Sequence, residues 1–335
     1  MAGLQKDVAE ALGVSQMTVS RALRGESGMS EETRRRILIA ARKAGIVTPA
    51  PRSQFDNRNL RHTFCVSGCP TTELQQGNWL FTIRLQNGLA RGGKECASQV
   101  LICPETFGDG VWPAPVLRRE VDGLVVLEGN DQMPRHQTPC PVPHVYVFSG
   151  PAEADIVTVN NFGGGMLLGA HLAAAGHRRV AFIGPDTLMA RERLAGLRTG
   201  LEPAGGECPP DVVKLRRNCG GHEPVFVEEL LAGQTRAEVL RRRFTAIACY
   251  NDWFAVHAMR GLRERGLRVP EDFGLTGFDN VLPPGYDGPK LTTCSVPIED
   301  LFAEAARFLY WRIEHPNTPR RTLMLDVAWV QGESA

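Results

Sequence analysis

From residue 62 onward, short runs of apolar and β-branched residues alternate with longer stretches of helical composition. The short runs, which are typical of buried strands, are Phe64-Cys-Val, Val100-Leu-Ile-Cys, Gly123-Leu-Val-Val-Leu, His144-Val-Tyr-Val-Phe, Ile156-Val-Thr-Val, Arg179-Val-Ala-Phe-Ile, Thr245-Ala-Ile-Ala-Cys and Phe273-Gly-Leu-Thr-Gly-Phe. The helical stretches cover residues 79–93, 162–175, a segment after 189, and 252–265. Strands that alternate with helices form parallel sheets with right-handed crossovers, and the repetition of the pattern predicts two such lobes.

Lobes of this kind bind ligands at the carboxyl ends of their strands, so we expect a binding cleft between the two. Residues 105–120 fit the alternation badly. Glycines and prolines there leave little room for a helix; they are Gly108, Gly110, Pro113 and Pro115.

The first 45 residues have a different, purely helical pattern. Apolar residues at helical spacing form three short runs: Val8, Ala9 and Leu12; Val19, Ala22 and Leu23; and Ile37, Leu38 and Ala41. Gly13 can take the positive φ of a tight turn between the first two runs, and Ser15 can cap the second helix. Ser30 can cap the third helix, which ends near Gly45. The pattern predicts a small all-α helix-turn-helix headpiece.

The second helix of this headpiece has an exposed polar face that suits DNA. Arg21 can pair with guanine, Gln16 can read adenine, and Met17 can contact a thymine methyl group. Hydroxyl groups on the same helix suit phosphate oxygens; they belong to Ser15, Thr18 and Ser20. Residues 1–61 hold eleven Lys/Arg against six Asp/Glu, although the whole chain has a net charge of only +1. The alternative is that these side chains are merely solvent-facing.

The segment Asp7-Val-Ala-Glu-Ala-Leu-Gly-Val-Ser-Gln-Met-Thr-Val-Ser-Arg-Ala-Leu-Arg-Gly, followed by Met29-Ser-Glu-Glu-Thr-Arg-Arg-Arg-Ile, closely resembles the lactose/galactose-repressor family. Further segments resemble the effector domain of that family in the same order: Val121-Asp-Gly-Leu-Val-Val, Ala175-Gly-His-Arg-Arg-Val-Ala-Phe-Ile-Gly, Arg193-Leu-Ala-Gly-Leu, Tyr250-Asn-Asp, Gly266-Leu-Arg-Val-Pro-Glu-Asp, Gly277-Phe-Asp-Asn and Leu291-Thr-Thr. The resemblance implies a two-lobed α/β fold similar to periplasmic sugar-binding proteins. It also implies a homodimer on a palindromic double-stranded DNA operator, read by Gln16, Met17 and Arg21.

The same resemblance implies effector contacts at Arg193, Asn251 and Asp279. A guanidinium, an amide and a carboxylate can together bind vicinal hydroxyls through directional hydrogen bonds. Alternatively, Arg193 and Asp279 form a structural ion pair that holds the lobes. Trp79 and Phe81 either offer an apolar face to a sugar ring or belong to the core.

Two positions depart from the family pattern and leave the ligand's identity open. Asn160 stands where an acidic residue is frequent, and Val296 stands where some relatives have a polar effector contact. We expect a sugar or a sugar acid.

We expect three parts in the chain: a DNA-binding domain over residues 1–47, a linker over 48–61, and an effector-binding and dimerisation domain over 62–335. The linker is interrupted by Pro49 and Pro51 and lacks the leucine-bearing hinge segment that is usual in the family. Leu60 is the one leucine there that can wedge into the minor groove, and a plain tether is the alternative.

The chain has no apolar run of eighteen residues and no signal-peptide pattern, so we expect a cytoplasmic protein. Its nine scattered cysteines indicate reduced thiols rather than a disulfide framework. The glycines at 163–165 lack the Lys-Ser/Thr ending of a phosphate loop, and neither Cys65 with Cys69 nor Cys208, Cys219 and His222 has zinc spacing. We therefore expect neither an enzyme nor a cofactor or metal.

These patterns together predict a transcriptional repressor that is controlled by a small polar metabolite. Two alternatives remain open at the level of the sequence. The second part can dock a protein partner instead of a metabolite, or the chain can be a sugar-binding protein with a vestigial headpiece.

Overall fold

The computed structural model describes residues 2–23, 30, 33, 36–37, 40, 62–67, 79–102, 111–128, 138–216, 225–232, 244–283 and 285–335. The chain forms two compact units, Met1–Asn59 and Leu60–Ala335. Several expectations fall outside the described residues: those on the linker with Leu60, on the side chain of Trp79, and on Cys69, Cys219 and His222. None of the helices in the described ranges is long and apolar enough to span a bilayer.

The first unit contains the expected helix-turn-helix, formed by α1 (Ala2–Leu12) and α2 (Gln16–Leu23). Gly13 in the turn has a φ of +66°, and no atom lies within 4 Å of a Cβ placed there, so backbone conformation alone explains the glycine. The Ser15 hydroxyl accepts a hydrogen bond from the Thr18 N–H at 3.1 Å and so caps α2. Both predictions for this turn are confirmed.

The headpiece core contains Val8, Ala9, Val19, Ala22 and Ile37, with Leu12, Val14 and Ala40 packed against it. Its third run is helical at the described positions 33, 36, 37 and 40. Ser30 accepts a hydrogen bond from the Thr33 N–H at 3.2 Å, the same capping geometry as at Ser15. Leu38 and Ala41, also expected in this core, lie outside the described residues.

In the second unit, the strands of the described segments are β1 (His62–Ser67), β2 (Ser98–Ile102), β3 (Gly123–Glu128), β4 (His144–Phe148), β5 (Asp155–Val159), β6 (Val180–Pro185), β7 (Val213–Arg216), β8 (Ala246–Cys249), β9 (Gly274–Thr276), β10 (Thr293–Ser295), β11 (Thr322–Leu325) and β12 (Ala328–Val330). Its helices there are α3 (Trp79–Glu95), α4 (Ala114–Leu117), α5 (Asn161–Ala174), α6 (Leu188–Leu201), α7 (Val225–Leu230), α8 (Asp252–Glu264) and α9 (Ile298–Glu314). Residues 111–120, the described part of 105–120, contain the single turn of α4, in agreement with the expectation that this segment leaves little room for a helix.

These elements form two lobes, each around a parallel sheet. The first sheet has the order β11-β5-β4-β3-β1-β2, and the second has the order β7-β6-β8-β9. A separate antiparallel pair, β10 and β12, lies where the chain passes between the lobes. The prediction of two lobes with parallel sheets is confirmed.

The chain passes between the lobes three times. It leaves the first lobe after β5, returns to it after β10 to form α9 and β11, and leaves again before β12. Because β5 and β11 are parallel neighbours, two of these crossings start at the same carboxyl edge of the first sheet. That edge therefore faces the second lobe, and we call the space between the two lobes the interlobe cleft.

Closely packed helix pairs cover both sheets. A Cβ added at Gly196 of α6 would lie 2.0 Å from the Phe162 carbonyl oxygen of α5, and one at Gly165 of α5 would lie 2.2 Å from the Arg193 carbonyl oxygen. In the first lobe, a Cβ at Gly92 of α3 would lie 2.5 Å from the Ala303 carbonyl oxygen of α9. Glycine in these helices thus has a packing role, and this also accounts for Gly165 in the run 163–165.

Candidate functional site

Arg193 lies in the second turn of α6 and reaches the edge of the interlobe cleft. Its Nε donates to the Asn161 side-chain oxygen at 2.9 Å, and one terminal nitrogen donates to the Tyr250 carbonyl at 2.6 Å. The other terminal nitrogen lies 3.4 Å from Asp279 Oδ1. The guanidinium is therefore held from three sides.

Aromatic rings also flank this guanidinium. Its central carbon lies 3.7 Å from the centroid of Phe278 and 4.5 Å from that of Tyr250. The Arg193 side chain is only 4% exposed. Stacking of this kind fixes the plane of the group and so fixes the direction of its remaining N–H donors.

Asp279 follows β9 and is the more accessible partner, since a quarter of its side chain is exposed. Its φ of +97° is unusual for a residue other than glycine. Burial raises the pKa of its carboxyl group, although the Arg193 charge and the Asn251 side chain both act to lower that pKa. Asn251 itself caps α8 by accepting from the Phe254 N–H at 3.1 Å.

Arg193, Asn251 and Asp279 are thus neighbours at the second lobe's cleft edge. The Arg193–Asp279 pairing that was considered as a structural alternative is present. Three of the five guanidinium N–H groups face protein acceptors, and two remain outside these contacts.

A second carboxylate, Asp252, lies behind this group and was not singled out from the sequence. It accepts from the Thr293 hydroxyl at 2.6 Å and from the Val281 N–H at 2.7 Å, so it ties α8 to the crossing strand β10. Burial, followed by the Asp279 charge, raises the pKa of Asp252 to about 7. Its position next to Asn251 directly after a strand is the sequence signal that would have found it.

Three aromatic rings of the first lobe pack against one another near the carboxyl end of β4. Phe81 of α3 lies 6.3 Å from Phe148 and 6.2 Å from Phe302 of α9, measured between ring centroids. Phe148 ends β4 with a φ of +75°, a rare conformation for a bulky residue that is found mainly at binding sites. Phe81 is partly buried against the core, which fits both roles considered for it.

Arg84 of α3 makes a polar contact between the lobes that sequence reasoning missed. Its terminal nitrogen donates to the Asn280 carbonyl oxygen at 3.4 Å. Asn280, like Asp279 before it, has a positive φ, here +55°. No sequence pattern singles out an arginine in the middle of an amphipathic helix, because such residues are normally solvated.

The two positions that depart from the family pattern have local structural roles. The Asn160 side chain caps α5 by accepting from the Gly163 N–H at 2.8 Å and donates to Asp326 at 2.9 Å. Val296 is buried in the core where the chain passes between the lobes.

Helix α2 of the first unit presents the side chains that were expected to contact DNA. Met17 is 71% exposed, and Ser15 and Gln16 are also exposed. Thr18, Ser20 and Arg21 are half-buried. The hydroxyl groups of Ser15 and Thr18 lie 2.8 Å apart and hydrogen-bond to each other.

A helix-turn-helix headpiece joined to a two-lobed unit with parallel sheets defines a class of transcription regulator. Residues 5–47 match the model of the bacterial regulatory proteins of the lacI family, and residues 170–335 match that of the periplasmic binding protein-like domain. The chain belongs to the lacI family and is a DNA-binding transcriptional repressor of that family.

Relatives of this chain are similar along nearly its whole length. The HTH-type transcriptional repressor PurR of Mannheimia succiniciproducens is 26% identical and covers 95% of this chain and 94% of its own. The ribose operon repressor of Haemophilus influenzae is 26% identical, with 98% and 97% covered. The solved structure of the transcriptional regulator CelR in complex with cellobiose is 26% identical, with a TM-score of 0.66 and 99% of both chains covered. These relatives are regulators and not enzymes.

Proposed function

We propose that this repressor binds its operator through α2 and senses a sugar or sugar acid in the interlobe cleft. The observation that carries the proposal is the group formed by Arg193, Asn251 and Asp279, which offers oriented donors and an acceptor at the cleft edge. The names of two relatives, one a ribose operon repressor and one a cellobiose complex, support a sugar-like effector.

In this proposal the effector's hydroxyl groups replace water at Asp279 and at the two remaining N–H groups of Arg193, with Asn251 as a further partner. Trp79 and Phe81 offer their rings to the apolar face of a sugar. A closed cleft makes each such contact selective, because a missing hydroxyl leaves a buried polar group without a partner.

The DNA-binding half of the proposal assigns residues 1–47 to the operator and 48–61 to the linker. Arg21, Gln16 and Met17 contact base edges in the major groove, while Ser15, Thr18 and Ser20 contact phosphates. The effector domain over 62–335 forms a homodimer on a palindromic site. A protein that binds a bacterial chromosome acts in the cytoplasm.

The effector half is tested by a thermal-shift screen of neutral sugars, sugar acids and sugar phosphates, because a ligand that binds the native state raises its melting temperature. A compound that shifts the wild type is then tested on Asp279→Asn, where we expect the shift to disappear. Arg191→Lys is the matched control, because Arg191 lies on the same helix but forms an exposed pair with Asp186. If Asp279→Asn and wild type respond alike, the effector binds elsewhere.

The DNA-binding half is tested by selecting operator fragments with the full chain. The affinity of the Arg21→Ala variant for the selected operator and for unrelated DNA is then measured. We expect the free energy of binding to the selected operator to weaken by about 1–3 kcal/mol, with little change in binding to unrelated DNA. An equal loss on both would make Arg21 a phosphate contact. A chain that selects no DNA at low salt would favour the vestigial headpiece, and a cleft that binds none of the compounds would favour control by a protein partner.

A further inference from the structure

We propose that Arg84 reads an anionic group on the effector, so that the effector is a polyhydroxylated anion with a carboxylate or a phosphate. This inference rests on the proposed function of the interlobe cleft and specifies the ligand class that the cleft selects.

The first observation is the weak engagement of Arg84 within the protein. It is half-buried on the first lobe's side of the cleft, one helical turn after Phe81. Its hydrogen bond to the Asn280 carbonyl, at 3.4 Å, is longer than a good N–H···O bond. Among the described residues, no carboxylate lies within 4 Å of its guanidinium, whereas Arg91 on the same helix pairs with Asp300.

The second observation is that the acidic groups near the cleft already have partners. Asp279 faces Arg193, Glu192 accepts from Asn161 at 3.1 Å, and Asp326 accepts from Asn160 at 2.9 Å. Asp252 accepts from two donors, as described above. In the described part of the cleft, Glu192, Asp326 and Asp252 are thus hydrogen-bonded by neutral donors, and Arg84 is an arginine that faces no carboxylate.

The third observation concerns Arg193, a second arginine at the cleft. Its charge is already opposed by Asp279, and an anion placed beside it would also approach that carboxylate. Hydroxyl groups suit this position, since the carboxylate accepts from them and the guanidinium donates to them. An anionic group is thus directed away from Arg193 and towards Arg84.

These positions separate the two ends of the ligand between the two lobes. The second lobe binds hydroxyl groups at Asp279 and Arg193, while the first lobe binds the anion at Arg84. The Arg84 contact with Asn280, directly after Asp279, shows that the two subsites are adjacent. A ligand with both features links the lobes, and a neutral sugar engages the first lobe only through its apolar face.

The experiment measures the affinity of the full chain for matched neutral and anionic compounds by titration calorimetry. The series are glucose, gluconate, glucuronate and glucose 6-phosphate; galactose, galacturonate and galactose 6-phosphate; and ribose, ribonate and ribose 5-phosphate. We expect wild type to prefer an anionic member over its neutral parent by roughly 10- to 100-fold, the effect of one charge-assisted hydrogen bond. Comparison of the carboxylate-bearing members with the phosphate-bearing members of each series shows which anionic group the cleft prefers.

Arg84→Gln should abolish this preference while the affinity for the neutral parent stays within about threefold. Arg84→Lys should restore part of it, because the charge remains but the bidentate geometry is lost. Arg91→Gln is the matched control on the same helix and should behave as wild type. The melting temperature of each unliganded variant confirms that it is folded.

Three results would overturn the inference. If Arg84→Gln weakens neutral and anionic ligands equally, Arg84 holds the lobes together and does not read charge. If wild type prefers the neutral member, the inference fails while the proposed function stands. If no member of any series binds, the proposed function fails and the inference fails with it.

Discussion

Among the described residues, each lobe of the second unit contains a buried arginine that pairs with an aspartate, and the two pairs lie at opposite edges of their sheets. Arg312 of the first lobe binds Asp155 at the amino end of β5, away from the cleft. Arg193 of the second lobe faces Asp279 at the carboxyl edge of its sheet. The same two residue types therefore form one pair far from the interlobe cleft and one pair at the edge that faces it.

The two pairs differ in how completely the protein satisfies them. Arg312 donates to both Asp155 oxygens and also to the carbonyl oxygens of His315, Thr318 and Pro319. Asp155 is 5% exposed, whereas Asp279 is 25% exposed. Both arginines are buried. The two pairs differ instead in the accessibility of the carboxylate and in how many guanidinium N–H groups face protein acceptors.

The largest effect that this comparison predicts is for Asp155→Asn. We expect the free energy of unfolding to fall by about 3–5 kcal/mol, because Arg312 is left as a buried charge without its counter-charge. Urea unfolding of wild type and variant measures the difference. Arg91→Ala breaks an exposed pair and serves as the control, with an expected loss below about 1 kcal/mol. A loss at Asp155 as small as that of the control would remove the distinction between the two pairs.

The next effect concerns the helix pairs, where the two lobes should behave alike. Gly196→Ala in the second lobe and Gly92→Ala in the first each force a methyl group against a backbone carbonyl, and we expect each to lose about 1–3 kcal/mol in urea unfolding. Gly261→Ala is the control, because its added methyl lies 3.3 Å from the Val227 side chain and meets no backbone. A stable Gly196→Ala protein would show that α5 and α6 can separate without loss.

A smaller effect is expected for Asp279→Asn, the substitution that matches Asp155→Asn in the other lobe. Because Asp279 is partly exposed, water can replace the lost interaction, and we expect a loss of about 1–2 kcal/mol in the absence of ligand. Calorimetric unfolding of Asp279→Asn and Asp155→Asn under the same conditions shows which substitution destabilises the protein more. If Asp279→Asn destabilises the protein as much as Asp155→Asn, the cleft pair is chiefly structural.

The smallest effect is the pH dependence that Asp252 contributes to stability. Its pKa is raised to about 7 in the folded protein, so the native state holds a proton that the unfolded state releases near pH 4. The stabilisation is fully present below the unfolded pKa and is lost as the pH rises through 7, which amounts to about 1 kcal/mol between pH 6 and pH 8. Thermal unfolding across that range should show a flatter profile for Asp252→Asn than for wild type. Parallel profiles would mean that Asp252 is already ionised at pH 6.

The sequence predicts the local elements well because each has its own period and its own end signals. The turn at Gly13, the cap at Ser15 and most of the strand–helix alternation up to β9 are short-range features, whereas β7 and α7 were not expected from the sequence. The return of α9 and β11 to the first lobe is not short-range, and no local pattern in residues 298–325 tells which sheet those elements join.

The same distinction holds for the candidate site. Arg193, Asn251 and Asp279 were found because recognisable segments carry them. Arg84 and Asp252 were missed, since their roles depend on what the fold brings near them: the Asn280 carbonyl from the other lobe and the Thr293 hydroxyl from a crossing strand. The linker and its leucine remain predictions.

The late position of β11 in the chain also affects the order in which the two lobes can fold during translation. Strand β5 has emerged from the ribosome long before β11, its neighbour in the sheet, has been synthesised, and contacts between such distant segments form slowly. The second lobe has most of its strands by then and can fold first. The amino-terminal lobe, although it emerges earlier, lacks its edge strand β11 until all four strands of the second lobe's parallel sheet have been made, so the sheet that is begun first is completed last.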